Sequence, residues 1–275
     1  MVPPSLEDNF EDILQKARDG LGLSMKALSE QSGVTPPMLK ALFHGDYDKT
    51  SLTAVAPLLQ LDAESLVDIA EGAWSPQVHT PEGLWQITSP FGKGMTVHAY
   101  LLKIPNSSEA LLFDTGTSLE AIKAILDKHK LLIAAIFLTH THSDHIAILK
   151  DLLEAYSKPP VYVQANEALR GAQVFKEGDS FTYPPLTVET RLTSGHSPGG
   201  TTYIVHTEEA SIAIVGDALF AGSMGRGFIS HKEALRNNME HIMTLPDTTI
   251  LCPGHGPITS VAEEKAHNPF IRGAS

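Results

Sequence analysis

The segment FLTHTHSDHI, residues 137–146, places His140, His142, Asp144 and His145 within six positions, directly after an apolar run. Imidazole and carboxylate at this density form the donor set of a metal centre, suiting zinc first, with iron or manganese as alternatives. Alternate spacing points His140 and His142 to one side of an extended backbone, while Asp144 and His145 turn to the adjoining side at a helix start. One loop can therefore feed two neighbouring ions. Further donors follow other apolar runs: His196 in TSGHSPGGTT, Asp217 in IAIVGDALF and His255 in ILCPGHGP. Each is predicted on a loop leaving a strand, where a rigid sheet anchors a site residue.

The elements that must position these donors lie in residues 84–275. VHAYLLKI, EALLFD, IAAIFLT, PVYVQA, TVETRLT, TTYIVH, ASIAIVG and TTILCP read as strands. SLEAIKAILDKHK, SDHIAILKDLLEAYSK and HKEALRNNMEHIMTL read as helices, and the mixture predicts a layered α/β sandwich. Residues 1–75 differ in texture and read as helices alone, with Ser24 and Thr35 as N-caps and Gly33 and Gly45 as stops. Pro and Gly in residues 76–83 mark a linker between the two territories.

The 275 residues carry a net charge of −12, which works against phosphate backbones and anionic membranes. A single cysteine, Cys252, excludes an internal disulfide and suits a reducing compartment; on its apolar strand it reads as a small hydrophobe. The acidic start MVPPSLEDNFEDIL lacks a secretory pattern, and no run reaches the ~18 apolar residues of a membrane span. The expectation is a soluble, cytoplasmic protein with no membrane contact. Histidines 44, 79, 98, 129, 206, 231, 241 and 267 are expected to have no role.

The motif His140-x-His142-x-Asp144-His145, with His196, Asp217 and His255 downstream, resembles the metallo-β-lactamase fold superfamily over about residues 84–275. GHSPGGTT, GDALFAGSMGR and CPGHGPIT followed by EEKAHNPF are similar to the small glyoxalase II-like hydrolases. The resemblance implies an αβ/βα sandwich with a binuclear site at one edge. It implies His140, His142 and His196 on one ion, Asp144, His145 and His255 on the other, and Asp217 bridging. Asp144 and Asp217 are then the carboxylates on which catalysis depends. Asp114, in FDTG, matches a strand-end motif whose aspartate orients a ligand from behind. Arg226 lies where such enzymes place a basic residue for a substrate carboxylate; a structural ion pair is the alternative.

The activity so implied is hydrolysis of a small-molecule thioester of the hydroxyacylglutathione type. Two ions ~3.5–4 Å apart share a water whose pKa falls towards ~7, giving a metal-bound hydroxide that attacks a polarised carbonyl. A thiolate leaves without a strong general acid, and none is evident. Two alternatives stand beside this: a persulfide dioxygenase of the same fold with one iron, and a ligand-sensing transcription regulator. The chain departs from the hydrolase pattern at Ile146, Ala147 and Ile148, where Ile-Gly-Gly is usual. It departs again after Gly225-Arg226, where Gly-Phe-Ile-Ser replaces Thr-Asp-Phe and puts the substrate contacts in question.

Over residues 10–72, KALSEQSGVTPPMLKALFHG followed by SLTAVAPLLQLDAESL resembles the helix-turn-helix domain of phage repressor and Cro-like regulators. Its recognition helix, TPPMLKALF, offers only Thr35 and Lys40 to bases, with no Arg, Asn or Gln. Residues 1–75 hold five Lys or Arg against twelve Asp or Glu, a net −7. The expected role is therefore contact with a second copy in a homodimer, or a cover for the active site, rather than DNA binding. Their removal is expected to leave the metal ligands in place.

Overall fold

Residues 5–92, 94–167, 169–208 and 210–274 are described by a computed structural model of the chain. Five helices come first: α1 (Phe10–Leu21), α2 (Met25–Ser32), α3 (Pro36–Leu42), α4 (Lys49–Val55) and α5 (Ala63–Ala70). The Ser24 side chain caps α2 by accepting from Ala27 N at 3.1 Å, and Gly33 ends it in the left-handed region, as its sequence predicts. Thr35 precedes α3 in extended conformation without a side-chain cap, and Pro36 supplies the first-turn residue that lacks a donor.

The first sheet orders β1 (Leu84–Phe91), β2 (Met95–Lys103), β3 (Glu109–Phe113), β4 (Leu132–Phe137), β5 (Val161–Gln164) and β6 (Gln173–Phe175) side by side. The second holds β7 (Ser180–Tyr183), β8 (Leu186–Leu192), β9 (Thr201–His206) and β10 (Ser211–Gly216). After a short β11 (Leu219–Phe220)–β12 (Ser223–Met224) hairpin it is completed by β13 (Ile250–Pro253) and β14 (Thr259–Ser260). Strands β3 and β4 are parallel. In the second sheet β8 and β10 each run antiparallel to β9, and β13 runs parallel to β10. The C-terminal ends of β8, β10 and β13 therefore share one edge, and the loops carrying His196, Asp217 and His255 emerge together.

Between the sheets lies an apolar layer that includes Phe113, Phe137, Tyr203, Ile212, Ile214 and Cys252. Strands β9 and β10 are buried along nearly their whole length, and β10 accordingly carries an unbroken apolar run, Ile212 to Val215. Two buried tyrosines cross the layer. Tyr203 donates to Leu138 O at 2.6 Å and Tyr100 to Pro253 O at 2.7 Å, so each sheet holds the other's site-bearing strand end.

Helices α6 (Leu119–His129), α7 (Ser143–Ile146) and α8 (Leu149–Ala155) cover the outer face of the first sheet. The sequence predicts one helix over 143–158, but it breaks after α7. The His145 carbonyl accepts from Thr115 N at 2.8 Å and Thr115 Oγ1 at 3.1 Å instead of continuing the helical ladder. Helices α9 (His231–Asn237), α10 (Val261–His267) and α11 (Pro269–Gly273) lie on the second sheet. A π-helical turn, 238–242, replaces the expected continuation of α9.

The N-terminal helices pack against the second sheet. Ile13, Leu14, Leu66 and Ile69 share one apolar cluster with Ile204, Ala213, Val215 and Leu251 of the second sheet. The acidic segment thus becomes part of the outer layer of the sandwich. Among the described residues, no helix is long and apolar enough to cross a membrane.

Candidate metal centre

All seven predicted donors meet at the shared edge. Their ligand atoms fall into three close groups: His140, His142 and His196; Asp144, His145 and His255; and His140, His145 and Asp217. Within the first, His142 Nδ1 lies 3.0 Å from His140 Nε2 and 2.9 Å from His196 Nε2. Within the second, His255 Nε2 lies 3.3 Å from Asp144 Oδ2, and His145 Nε2 lies 3.7 Å from the same oxygen. Asp217 stands between them: Oδ1 is 3.3 Å from His145 Nε2, while Oδ2 is 3.4 Å from both His196 Nε2 and His255 Nε2.

The surrounding hydrogen bonds fix which nitrogen each ring offers. His196 Nδ1 donates to Arg226 O at 2.9 Å and His255 Nδ1 to Thr96 O at 2.6 Å, because a carbonyl can only accept. His145 Nδ1 donates to Asp114 Oδ2 at 2.8 Å. Thr139 Oγ1 donates to Asp114 Oδ2 at 2.7 Å, leaving its oxygen to accept from His140 Nδ1 at 3.1 Å. Four Nε2 lone pairs and His142 Nδ1 therefore converge on the same space. His145 Nε2 and Asp217 Oδ1 are buried without hydrogen-bond partners. Orphaned acceptors facing one another in a buried pocket are unfavourable unless a cation lies between them, so these residues fit bound divalent metal.

The electrostatics agree. Burial alone would push His145 and His255 down. Asp217 and Asp114 instead raise His145 to about 10, and hydrogen bonds to Asp144 and Asp217 raise His255 to about 11. Burial would likewise raise Asp217, yet His145 and His255 hold its carboxyl well below the usual carboxylate range. With no cation present the carboxylates draw protons onto the imidazoles, which marks a pocket built for positive charge. Gly254 lets the chain pass close behind: a Cβ there would collide with Asp217 Oδ1 and the His145 ring.

Asp114 lies outside the converging set and acts through it. It adopts the left-handed region at φ 54° and accepts from Thr139 N at 2.7 Å as well as from Thr139 Oγ1 and His145. Arg226 does not reach the cluster by its side chain. Its guanidinium donates to Asp19 of α1 at 2.7 Å, and only its carbonyl serves the site, through His196.

Three contributors carry no local signal in the sequence. Glu167 accepts from Thr141 N at 3.1 Å, Thr141 Oγ1 at 2.6 Å and Gly199 N at 2.9 Å, tying the His140–His142 loop to the His196 loop. His98, expected to have no role, brackets the His255 turn: its backbone N donates to Gly254 O and its Nε2 to Gly256 O, both at 2.8 Å. Glu7 packs against Gly256, whose φ of 74° requires glycine, and so brings the N-terminal segment beside His255. His231 stays away from the donors and packs against Gly20 and Phe270.

Residues 92–255 match the family described as "Metallo-beta-lactamase superfamily". The chain is 35% identical over 194 residues to "Probable metallo-hydrolase YqgX" of Bacillus subtilis, covering 62% of this chain and 90% of that protein. It is 32% identical over 151 residues to "Hydroxyacylglutathione hydrolase" of Salmonella arizonae, where the match spans 54% of this chain and only 58% of the relative. Among solved structures, "BLEG-1 B3 metallo-beta-lactamase" aligns at TM-score 0.61 and 32% identity, over 68% of this chain and 99% of that one. "TTHA1623 in a di-iron-bound form" aligns at TM-score 0.57 and 26% identity, over 68% and 99%. With its sandwich and its converging His and Asp side chains, the chain belongs to the metallo-beta-lactamase superfamily.

Proposed function

We propose that the protein is a binuclear metal-dependent hydrolase of thioesters. The observation that carries this reading is the place of Asp217, whose two oxygens face ligand atoms of both donor groups. His140, His142 and His196 would hold one divalent ion, Asp144, His145 and His255 the other, and Asp217 would reach both. Two such ions supply a Lewis acid for the carbonyl and a water acidified to act near neutral pH. The chain's own part is positional: Asp114 and the carbonyls of Arg226 and Thr96 aim the imidazoles. A thioester suits the site because its leaving thiolate asks for no proton donor, and Arg226, held by Asp19, is not placed as one. Likeness to a hydroxyacylglutathione hydrolase supports thioesters, while its partial coverage leaves the thiol portion open.

Zinc is the metal we favour from the donor set, and the likeness to a di-iron structure makes iron the chief competitor. The full complement of donors argues against a centre that needs only two histidines and an aspartate. A DNA-binding sensor finds little support: α3 presents Lys40 as its one cation. The test is metal analysis of the purified protein combined with assays of thioester hydrolysis, β-lactam hydrolysis and oxygen uptake. Two metal ions and thioester turnover are expected. A fully metallated protein that cleaves only β-lactams, or consumes oxygen, would overturn the thioesterase reading.

A further inference from the structure

The loop leaving β12 carries the Gly-Phe-Ile-Ser departure, and it presents two large apolar side chains to solvent: Phe228 is 65% exposed and Ile229 is 56% exposed. The position of Phe228 is not incidental. The Phe228 ring centroid lies 5.3 Å from that of His196 and 6.3 Å from that of His142, two of the converging donors. Leaving such side chains largely in water forgoes much of the stabilisation that burial would give them. A frayed loop could explain that exposure, but this loop is held at several points. Phe228 N donates to Arg226 O at 2.9 Å, and Ile229 N and Ser230 N both donate to Gly195 O, at 2.9 and 3.2 Å. Ser230 Oγ caps α9 by accepting from Glu233 N at 3.1 Å.

A further tether comes from the N-terminal helices. Asp19 Oδ2 accepts from Arg226 Nη1 at 2.7 Å, while Asp19 Oδ1 is held by Gln15 and Arg18 at 2.7 and 2.8 Å. Gly20 meets the His231 ring so closely that a Cβ would collide with it, and a Cβ at Gly227 would lie 2.5 Å from His231 Cα. Helix α1 thus abuts the base of the loop, and residues outside the matched family region set its position.

We propose that Phe228, with Ile229 adjoining it on the loop, forms an apolar wall beside the centre that selects thioesters with an apolar acyl group, and that Asp19 is the positioning residue for that wall. The proposal rests on the hydrolase reading above and narrows its substrate class, from thioesters in general to those with hydrocarbon acyl groups. A methylene enclosed in an apolar pocket changes transition-state binding by a factor of roughly ten or more, and several methylenes packed on this open wall together reach that range. A rigid, preformed wall gives that gain without an ordering cost.

The test uses the metallated full chain and N-acetylcysteamine thioesters with acetyl, lactoyl and hexanoyl groups. Wild type is expected to favour hexanoyl over both others in kcat/KM by at least ~10-fold. Phe228→Ala should collapse that preference through KM, with metal content unchanged. Asp19→Ala should shift hexanoyl KM in the same direction, and the charge swap Asp19→Arg with Arg226→Asp should restore it, which a merely destabilising change would not. Binding of hexanoate against acetate, followed by the visible spectrum of the cobalt-substituted protein, gives a second readout independent of turnover. If no thioester is cleaved, the hydrolase reading fails, yet a hexanoate preference lost in Phe228→Ala still supports the wall. Equal handling of acetyl and hexanoyl by wild type, equal binding of the two carboxylates, or a thiol-side effect alone in Phe228→Ala overturns it.

Discussion

Asp114 Oδ2 accepts the Nδ1 proton of His145 at 2.8 Å, and the other nitrogen of that ring faces Asp217 Oδ1 at 3.3 Å with no hydrogen-bond partner. One carboxylate therefore sets the tautomer that makes His145 a donor, and a second stands across the space a cation would fill. Asp114→Asn would keep the shape but lose the charge behind the ring. Metal affinity measured by chelator competition should fall by about 10–100-fold. Asp217→Ala should lower metal content and hydrolysis together, far more than Cys252→Ser. Full metal occupancy in Asp217→Ala would refute the binuclear arrangement.

Glu167 supplies a second, separable prediction. Its carboxylate takes three hydrogen bonds from Thr141 and Gly199, residues that flank His140, His142 and His196 but not His255. Glu167→Ala leaves those donors without their acceptor and loosens the three-histidine group first. Stepwise metal titration should show one ion weakened by about tenfold or more while the other is retained. Glu167→Gln, keeping one acceptor oxygen, should lie between. Equal weakening of both ions would show that Glu167 holds the fold at large rather than these two loops.

The donor set was legible in the sequence because its information is local: four ligands in six residues, and three more beside the glycines of strand-end loops. Asp114 was legible as a possible orienting residue, and the structure places it behind His145 and His140. Glu167 and His98 were not, because each acts on a loop distant in the chain and neither has a telling neighbour. The break after α7 was hidden for the same reason, since it depends on Thr115 capturing the His145 carbonyl. The two territories were visible as a change of texture. Their shared core was not, because the faces of α1 and α5 find their complement in β9 and β10.

His98 links the site to pH. Nε2 must carry the proton, since Gly256 O accepts it, and Nδ1 then accepts from Thr88 Oγ1 at 3.1 Å. Burial, chiefly, pushes the imidazole down to about 4. The folded state therefore prefers the neutral ring. Its contribution is fully present above the unfolded value near 6.5 and is lost as pH falls towards 4, on the order of 3 kcal/mol in all. Denaturant unfolding of the metal-free protein should show wild type losing stability over that window. His98→Asn should show a shallower decline, and identical slopes for the two proteins would rule His98 out.

Removing residues 1–75 separates the expected separate domain from the observed shared core. Asp8, which is buried, accepts from Ser223 Oγ and pairs with Lys16, whose ammonium also donates to Met224 O at 2.9 Å. Truncation would strip those partners from the β11–β12 hairpin and bare the apolar outer face of β9, β10 and β13. Each large apolar side chain so exposed costs about 1.5–3 kcal/mol, and several together exceed the 5–15 kcal/mol that holds a typical domain. The truncated chain should therefore aggregate or lose its cooperative thermal transition, instead of keeping an intact centre as the linker at 76–83 suggests. Asp19→Ala, which breaks the partly exposed ion pairs to Arg226 and Arg18, should shift the melting temperature by only a few degrees. A soluble, cooperatively melting 76–275 fragment with full metal content would show that the sandwich needs no N-terminal layer.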